Sequence, residues 1–345
     1  MSEKIRIVVD AMGGDNAPAA PVAGAVAAAS SMPELCVILV GDETAIKEEL
    51  KKHASLPEGS IEIRHASQVI ETSEPPGAAI RSKKDSSIVV GLSMVKKGEA
   101  SAFVSAGSTG AVLVGGTVLV GRIKGVERAP LGVIIPSAKG VSLLIDGGAN
   151  VDARPSHLAQ FARMGSLYMK DVVGIENPKV GIVNIGAEED KGNALVKETF
   201  PLLKELSDIN FVGSVEARDI PAGAVDVVVC DAFVGNVILK MMEGTASTLL
   251  SLIKKAFYSS LRTKIGALLV KPSLKEVLVK FDATCYGGAP LLGIKGLVVK
   301  VHGNTTGGEI EHALHQCVTF TKAQIPEKLT AMFAGNQDAK PEEAL

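Results

Sequence analysis

Residues 5–16 read Ile5-Arg6-Ile7-Val8-Val9-Asp10-Ala11-Met12-Gly13-Gly14-Asp15-Asn16, a β-branched run followed at once by a polar cluster that contains glycine. A segment with the apolar spacing of a helix comes next. This order is typical of a strand, a turn and a helix in a parallel sheet that helices cover on both faces. It predicts an α/β fold.

Further junctions of the same kind follow: 102–105 into 106–110, 141–146 into 147–150, 180–184 into 185–193, 227–231 into 232–236 and 298–302 into 303–308. One such junction alone is explained by a turn that needs a positive φ. Several of them, each with Asp, Asn, Ser, Thr or Lys beside the glycine, favour a functional site. Because ligands bind at the carboxyl ends of parallel strands, we expect that site to combine distant segments.

The chain has 345 residues, 46% of them hydrophobic and 21% charged. This length allows one large domain with an excursion or two intimately joined lobes. We predict a single α/β/α catalytic domain at 1–336, with a helical excursion at about 248–280 and a polar C-terminal tail at 337–345.

The formal net charge is −2, so no global field draws the molecule to nucleic acid, and no nucleic-acid partner is predicted. The cysteines are scattered without a C-x-x-C pair, which favours reduced, buried thiols in the cytoplasm: Cys36, Cys230, Cys285 and Cys317. Residues 1–4 lead directly into the first strand, so no signal peptide is predicted. The uncharged stretch 100–121 is interrupted by glycines and hydroxyl residues, which favours a buried strand and helix over a membrane span.

Several standard signatures do not occur in the sequence. It contains no Gly-x-Gly, no Gly-Lys pair and no Gly-x-Ser-x-Gly, which excludes the dinucleotide fingerprint, the Walker A loop and the hydrolase nucleophile elbow. The close pair His312 and His315 has no distant third ligand, so no metal site is predicted.

Glycine-rich turns that open helices bind oxyanions through backbone N–H groups and the helix dipole. Residues 105–111 add hydroxyl donors, and Lys191-Gly192-Asn193 adds a cation at a helix start. Phosphate or a phosphoester is the natural ligand. The alternative is that Lys191 is a surface lysine and the hydroxyls are helix caps.

Long motifs, in chain order, resemble those of the bacterial phosphate acyltransferase family (PlsX), over about residues 5 to 325. They are residues 9–18, Ser105-Ala106-Gly107-Ser108-Thr109-Gly110-Ala111, Asp146-Gly147-Gly148-Ala149-Asn150, Lys191-Gly192-Asn193, Asp231-Ala232-Phe233-Val234-Gly235-Asn236 and residues 286–293. One departure follows His302-Gly303, where the family usually has a Ser-rich run and this chain has Asn304-Thr305-Thr306-Gly307-Gly308.

The resemblance implies an enzyme that converts acyl-[acyl carrier protein] and inorganic phosphate to acyl phosphate and free carrier protein, for phosphatidic acid and phospholipid synthesis. It implies a homodimer with a three-layer α/β/α fold and a mostly parallel sheet, similar to isopropylmalate dehydrogenases and phosphotransacetylases, with a protruding helical hairpin. It implies no nicotinamide, metal or other cofactor.

By resemblance, Lys191 and Asn236 are the catalytic pair: the cation offsets charge on phosphate or oxyanion, and the amide orients the reacting groups. The other residues in matching motifs are expected to bind substrate or phosphate: Asp10, Gly13, Gly14, Asp15, Asn16, Ser105, Gly107, Ser108, Thr109, Asp146, Asn150, Asn193 and Asp231. Because carboxylates repel phosphate, the alternative for some of the aspartates is that they order the turns. His157 is either a general acid or base or a helix-start residue with a structural bond.

The excursion at 248–280 carries seven basic residues against one acidic residue and an apolar stripe at helical spacing. Dimer packing through the apolar face is its first expected use. Its charges favour docking of the acidic acyl carrier protein or peripheral contact with anionic membrane.

Two other functions remain open from the residues. A phosphotransacetylase-type enzyme would use acyl-CoA in place of the carrier protein. A regulatory module would bind a phosphate ligand without turnover. The acyl chain length that the protein prefers is not encoded in any motif.

Overall fold

The structure, a computed structural model, describes residues 4–53, 59–280 and 287–334. The strands are β1 (Ile5–Asp10), β2 (Leu35–Gly41), β3 (Ile61–His65), β4 (Ala102–Ser105), β5 (Val133–Ser137), β6 (Gly140–Ile145), β7 (Lys179–Asn184), β8 (Asn210–Glu216), β9 (Val227–Val229), β10 (Ala289–Leu291) and β11 (Leu297–Lys300). The predicted tail at 337–345 and Cys285 lie outside the described residues.

The helices cover these strands and alternate with them along much of the chain. They are α1 (Ala19–Ser31), α2 (Glu43–Leu50), α3 (Pro76–Ser82), α4 (Ser87–Lys96), α5 (Thr109–Gly115), α6 (Pro155–Tyr168), α7 (Ala194–Glu205), α8 (Ala232–Phe257), α9 (Leu261–Lys280), α10 (Gly307–Lys322) and α11 (Ile325–Phe333). Helices α5 and α6 continue as π-helical turns over Gly116–Gly121 and Met169–Val173.

The described residues group into two compact units. The first unit contains residues 4–132, 170–176 and 287–334, and the second contains 133–169 and 177–280. The prediction that 1–336 form a single domain is not decided by this grouping and stays a prediction.

The first unit is built on a sheet with the order β10-β11-β4-β1-β2-β3, in which only the edge strand β10 is antiparallel to its neighbour. Strands β2, β4 and β11 and residues 7–10 of β1 are buried because helices cover them, as continuous apolar runs such as 35–40 predict. Val8 and Phe103 are paired in register and both reach Gly91 of α4, where a larger residue would collide with the Phe103 ring.

The second unit is built on a sheet with the order β5-β6-β9-β7-β8, in which β6, β9, β7 and β8 are parallel. Alternate residues of its central strands meet helices on opposite faces. Val227 lies against Gly165 of α6, whereas Val228 packs in a buried cluster with Ile238 of α8. The sheet is therefore the middle layer of an α/β/α sandwich.

Helices α8 and α9 form the helical hairpin expected at about 248–280. They form an open apolar groove of about 510 Å³ that is lined in part by Leu250, Phe257 and Leu268, with Lys254 and Lys264 among its other lining residues. Most side chains of α8 beyond residue 242 and of α9 up to residue 274 are exposed. The hairpin is thus a largely solvent-exposed extension of the second unit.

The predicted α/β class with mostly parallel strands is confirmed. The junctions that were expected to combine in one site lie in two groups, because they belong to two sheets. Those that follow β1, β4 and β11 share the first sheet, and those that follow β6, β7 and β9 share the second. Among the described cysteines, Cys36, Cys230 and Cys317 are free and buried, as expected.

Candidate active site

In the first unit, the adjacent parallel strands β11, β4 and β1 bring three loops to one edge of the sheet. Asp10, which ends β1, is buried, and its Oδ1 accepts a hydrogen bond from the Met12 N–H at 3.1 Å. Its Oδ2 accepts from the Ser105 hydroxyl at 2.7 Å. Burial raises the pKa of Asp10, and hydrogen bonds from Ser87, Ser105 and Met12 act against that rise. Asp10 therefore joins the ends of β1 and β4.

The turn 13–16 packs closely against both neighbouring loops. A Cβ on Gly13 would lie 2.6 Å from the Gly107 nitrogen, and one on Gly14, whose φ is +96°, would lie 2.8 Å from the Gly303 oxygen. The Asp15 N–H donates to the Gly303 carbonyl at 2.7 Å. The Asn16 amide donates to the carbonyls of residues 304 and 305 at 3.2 and 3.0 Å. Both glycines are required here because the backbones approach so closely.

Hydroxyl groups of the segment 105–109 serve the turn itself. Ser105 Oγ accepts from the Gly107 N–H at 3.0 Å, and Ser108 Oγ accepts from the Ala111 N–H at 3.4 Å as the N-cap of α5. Ser105 and Ser108 are buried, whereas Thr109 is exposed. The threonines of the atypical segment are also engaged, since Thr305 and Thr306 both donate to Glu309 Oε2, at 3.0 and 3.2 Å.

Lys300 is a buried cation in this loop cluster that the sequence analysis missed. It ends β11 and is 8% exposed, and its ammonium group donates to the Ala106 carbonyl at 3.3 Å and to the Val301 carbonyl. Burial lowers its pKa to about 8, while the charges of Asp10 and Asp15 act in the opposite direction. The lysine therefore ties β11 to the loop after β4 and faces two carboxylates.

We expect the contribution of Lys300 to stability to grow with pH. The unfolded chain holds this proton up to its ordinary pKa of 10.5, whereas the folded protein releases it near pH 8. Between these values the unfolded state binds more protons, so the free energy of unfolding rises with pH. The free energy of unfolding of wild type minus that of Lys300→Met should increase by up to about 3 kcal/mol across this window.

Urea unfolding of both proteins at several pH values measures this difference, and the subtraction removes the titration of the cysteines. A difference that stays constant from pH 7 to pH 10.5 would show that Lys300 keeps an ordinary pKa.

In the second unit, the adjacent parallel strands β6, β9 and β7 bring another three junctions to one edge. Asp146 follows β6 and is fully buried, with no exposed surface. Its Oδ1 accepts from the N–H groups of Gly148 and Ala149, each at 2.9 Å. Its Oδ2 accepts from the Asn150 N–H at 2.8 Å and the Asn150 side-chain amide at 2.7 Å. This carboxylate orders the turn, and the N–H groups that the sequence assigned to an anion are engaged by it.

The junction after β9 leads into α8. Asp231 is the N-cap of α8, and its Oδ1 accepts from the N–H groups of Phe233 and Val234 at 2.9 and 3.0 Å. Asn236 lies one turn later and is exposed, and its amide donates to the Gly147 carbonyl at 3.5 Å. The Asn236 side chain therefore lies beside the turn that follows β6.

The junction after β7 presents Lys191. Its side chain is exposed, while its backbone carbonyl accepts from the Asn184 amide at 3.3 Å. Gly192 has a φ of +99°, and a Cβ there would lie 2.5 Å from Asn184 Oδ1. Asn193 is the N-cap of α7 and accepts from the Val196 N–H at 2.9 Å. Buried Asn184 thus fixes the backbone from which Lys191 extends.

His157 is buried in the first turn of α6. Its Nδ1 accepts from the Arg154 N–H at 3.1 Å and completes a capping box at the helix start. This is the structural bond that the sequence analysis gave as one of two interpretations. A catalytic role for His157 stays a prediction.

The site residues predicted from the sequence thus form two groups. Asp10, Gly13–Asn16 and Ser105–Thr109 lie together in the first unit, and the second unit brings together Asp146, Asn150, Lys191, Asn193, Asp231 and Asn236. In the second group an exposed ammonium and an exposed amide extend from turns that Asn184, Asp146 and Asp231 order. Such groups stabilise an anion or a developing oxyanion. Among the described residues, no three His, Cys, Asp or Glu side chains are arranged to hold a metal ion.

Comparison with known proteins gives consistent matches over nearly the whole chain. A family model described as "Fatty acid synthesis protein" matches residues 5–328. A phosphate acyltransferase of Alkaliphilus oremlandii is 49% identical over 326 residues, which are 94% of this chain and 96% of that protein. A phosphate acyltransferase of Clostridium acetobutylicum is 47% identical over 324 residues, 94% of this chain and 97% of that protein.

Among solved structures, the EutD phosphotransacetylase from Staphylococcus aureus superposes with a TM-score of 0.58 at 17% sequence identity. The match covers 93% of this chain and 94% of that one. At this identity the likeness establishes the fold, and it confirms the phosphotransacetylase-like fold predicted from the sequence. In the described part of the chain, no helix is both long and apolar enough to cross a bilayer.

Proposed function

Since this chain belongs to the fatty acid synthesis protein family and its relatives are enzymes named phosphate acyltransferases, we propose that it transfers the acyl group of acyl-[acyl carrier protein] to inorganic phosphate. The product is acyl phosphate, and we propose that it feeds phosphatidic acid and phospholipid synthesis. The observation that carries the proposal is the placement of Lys191 and Asn236 at one edge of the second sheet. Because the relatives are enzymes, the alternative of a regulator without turnover is disfavoured.

The proposed reaction needs no nucleophile from the protein. An oxygen of the phosphate dianion attacks the thioester carbonyl carbon, and the carbonyl electrons move to its oxygen. As the tetrahedral intermediate collapses, the C–S bond breaks and its electron pair leaves with sulfur. The proton that phosphate loses ends on that sulfur, which gives the free thiol of the carrier protein. The protein's task is to hold phosphate in position and to stabilise the oxyanion.

Lys191 and Asn236 are suited to these two tasks. The lysine offsets negative charge on the phosphate or the oxyanion, and the asparagine amide donates a hydrogen bond that orients the reacting groups. The aspartates at the same edge are engaged in ordering their turns. Their oxygens accept from backbone N–H groups, so the repulsion of phosphate by an uncompensated carboxylate is reduced.

The acyl donor separates this proposal from its enzymatic alternative. Acyl phosphate is trapped with hydroxylamine while the same acyl group is offered on the carrier protein or on coenzyme A. We expect a higher kcat/KM with the carrier protein thioester. If acyl-CoA were the better donor, the protein would be a phosphotransacetylase-type enzyme.

We further propose that the α8–α9 hairpin packs in a homodimer. We propose that its basic residues contact the carrier protein or anionic membrane. The protein would then be cytoplasmic and associate peripherally with the membrane. Both exposed apolar side chains and basic side chains of the hairpin support this proposal. Leu261, Ile265 and Leu269 are exposed, and Lys254 and Lys255 lie in the last turn of α8.

Charge reversal in the hairpin should weaken binding to anionic vesicles. The double variant Lys254→Glu and Lys255→Glu should sediment less with phosphatidylglycerol vesicles than wild type, because attraction of the membrane for each basic residue contributes about 1 kcal/mol. Lys96→Glu with Lys97→Glu, at the end of α4, is the matched control. Equal sedimentation of both variants and wild type would remove Lys254 and Lys255 from this role.

A further inference from the structure

Large apolar side chains are exposed at the same edge of the second sheet as Lys191 and Asn236. Each of the three junctions contributes one: Val151 after β6, Ile185 after β7 and Phe233 after β9, which are 59%, 80% and 65% exposed. Single exposed apolar residues are ordinary on a protein surface. Three at one sheet edge, each close in sequence to a polar residue of the candidate site, are an exposed apolar feature of the edge that carries Lys191 and Asn236.

Exposed apolar side chains continue along α8. Phe233, Val237 and Met241 follow one another at intervals of four residues, so they lie on one face of the helix, and all three are more than half exposed. We call these three residues the α8 stripe. A different face of the same helix carries Val234, Ile238 and Met242, which pack in the buried cluster of the second unit. The core therefore accounts for one apolar face of α8 and leaves the stripe unexplained.

We propose that the α8 stripe binds the fatty acyl chain of the thioester substrate. This inference rests on the acyl transfer proposed above and assigns its specificity to named residues. The stripe begins at Phe233, three residues before Asn236, so a chain whose carbonyl lies beside Asn236 can continue along the helix. The stripe spans about 12 Å from Phe233 to Met241, the length of an extended chain of roughly ten carbon atoms with C–C bonds of about 1.5 Å.

A second copy of this chain is the other occupant that an apolar helix face could have. The arrangement at the sheet edge favours the acyl chain, because Val151 and Ile185 are exposed in the junctions after β6 and β7, at the edge where Lys191 and Asn236 also lie. A subunit interface has no need to converge on that edge. The charged residues next to Met241 are compatible with an apolar ligand, because Lys240 and Glu243 pair with each other at 2.8 Å and so compensate each other's charge.

The test compares acyl carrier protein thioesters of increasing chain length, from butyryl to palmitoyl, in wild type and in Met241→Gln. Each methylene that the stripe covers should raise kcat/KM by roughly two- to fourfold in wild type. In Met241→Gln the ratio of the palmitoyl to the butyryl kcat/KM should fall about tenfold. Glutamine is a good helix former, so the substitution removes apolar surface without breaking α8. Leu202→Gln, an exposed leucine of α7, is the matched control and should keep the wild-type ratio.

Sedimentation of each variant at the assay concentration completes the experiment. A reduced ratio with the wild-type molecular mass supports the proposal. An unchanged ratio overturns it, and so does a reduced ratio with a dimer that dissociates, which would assign the stripe to a second copy. If wild type formed acyl phosphate from none of the thioesters, the proposed function itself would be refuted.

Discussion

Replacing Lys191 with alanine should lower the rate of acyl phosphate formation about 100- to 1000-fold, and Asn236→Ala should do the same, because each removes a group that stabilises the charge developing in the transition state. Both side chains are exposed, so the folded protein should tolerate their loss. The measurement is single-turnover formation of acyl phosphate with both substrates saturating. Circular dichroism and urea unfolding show whether each variant is folded.

The pair offers a stricter test through the double variant. If the two groups act on the same oxyanion, the loss in the double variant should be well below the product of the single losses. Lys197→Ala, on the exposed surface of α7, is the matched control for removal of a lysine and should keep wild-type activity. Near-normal rates in folded Lys191→Ala and Asn236→Ala would remove both residues from the chemistry.

The second large effect is on stability, and it concerns Asp146. Its two oxygens accept four hydrogen bonds from the turn that follows β6, three from backbone N–H groups and one from the Asn150 amide. Asp146→Ala removes a fully buried carboxylate and leaves these half-buried donors without their acceptor. We expect the free energy of unfolding to fall by about 3 kcal/mol, because hydrogen bonds to a charged group contribute about 1.5 to 3 kcal/mol each and water can replace only part of them at these half-buried donors.

Urea unfolding measures this loss, and Asp152→Ala is the control, since Asp152 is exposed in the same loop. The control should stay within about 0.5 kcal/mol of wild type. A stable Asp146→Ala protein with a raised KM for phosphate would mean that the carboxyl group serves the ligand and not the turn.

The sequence allowed the class of fold to be predicted because its pattern is local. A β-branched run, a glycine turn and a helical segment each occupy neighbouring residues, as in 5–16 and 102–110. The partition into two sheets depends on distant pairing. Strand β11 lies beside β4, almost 200 residues away in the chain, and no local pattern specifies that neighbour.

Local motifs also located the candidate site residues, whereas contacts between distant segments could not be predicted. The motifs around Lys191 and Asn236 are contiguous, so the resemblance located them. Lys300 was missed because it ends an apolar strand, and the partners that mark it, Asp10 and Asp15, come from the opposite end of the chain. For Asp146 the residue was found, and its tie to its own turn became clear only from the directions of the N–H groups.

The exposed residues Phe233 and Val237 illustrate a further limit. Apolar residues fill much of α8, and periodicity alone does not say which of its faces meets the core. The buried cluster of the second unit contains Val234 and Ile238, so the structure separates the face that is packed from the one that is open.

Counting both products of one reaction tests acyl transfer to phosphate most directly. Purified protein is incubated with acyl-[acyl carrier protein] and phosphate, and the free carrier thiol and the hydroxylamine-trapped acyl phosphate are measured together. We predict one acyl phosphate for each thiol released, with neither product formed when phosphate is omitted. Release of the thiol without phosphate, or no release at all, would contradict acyl transfer to phosphate as the function of this protein.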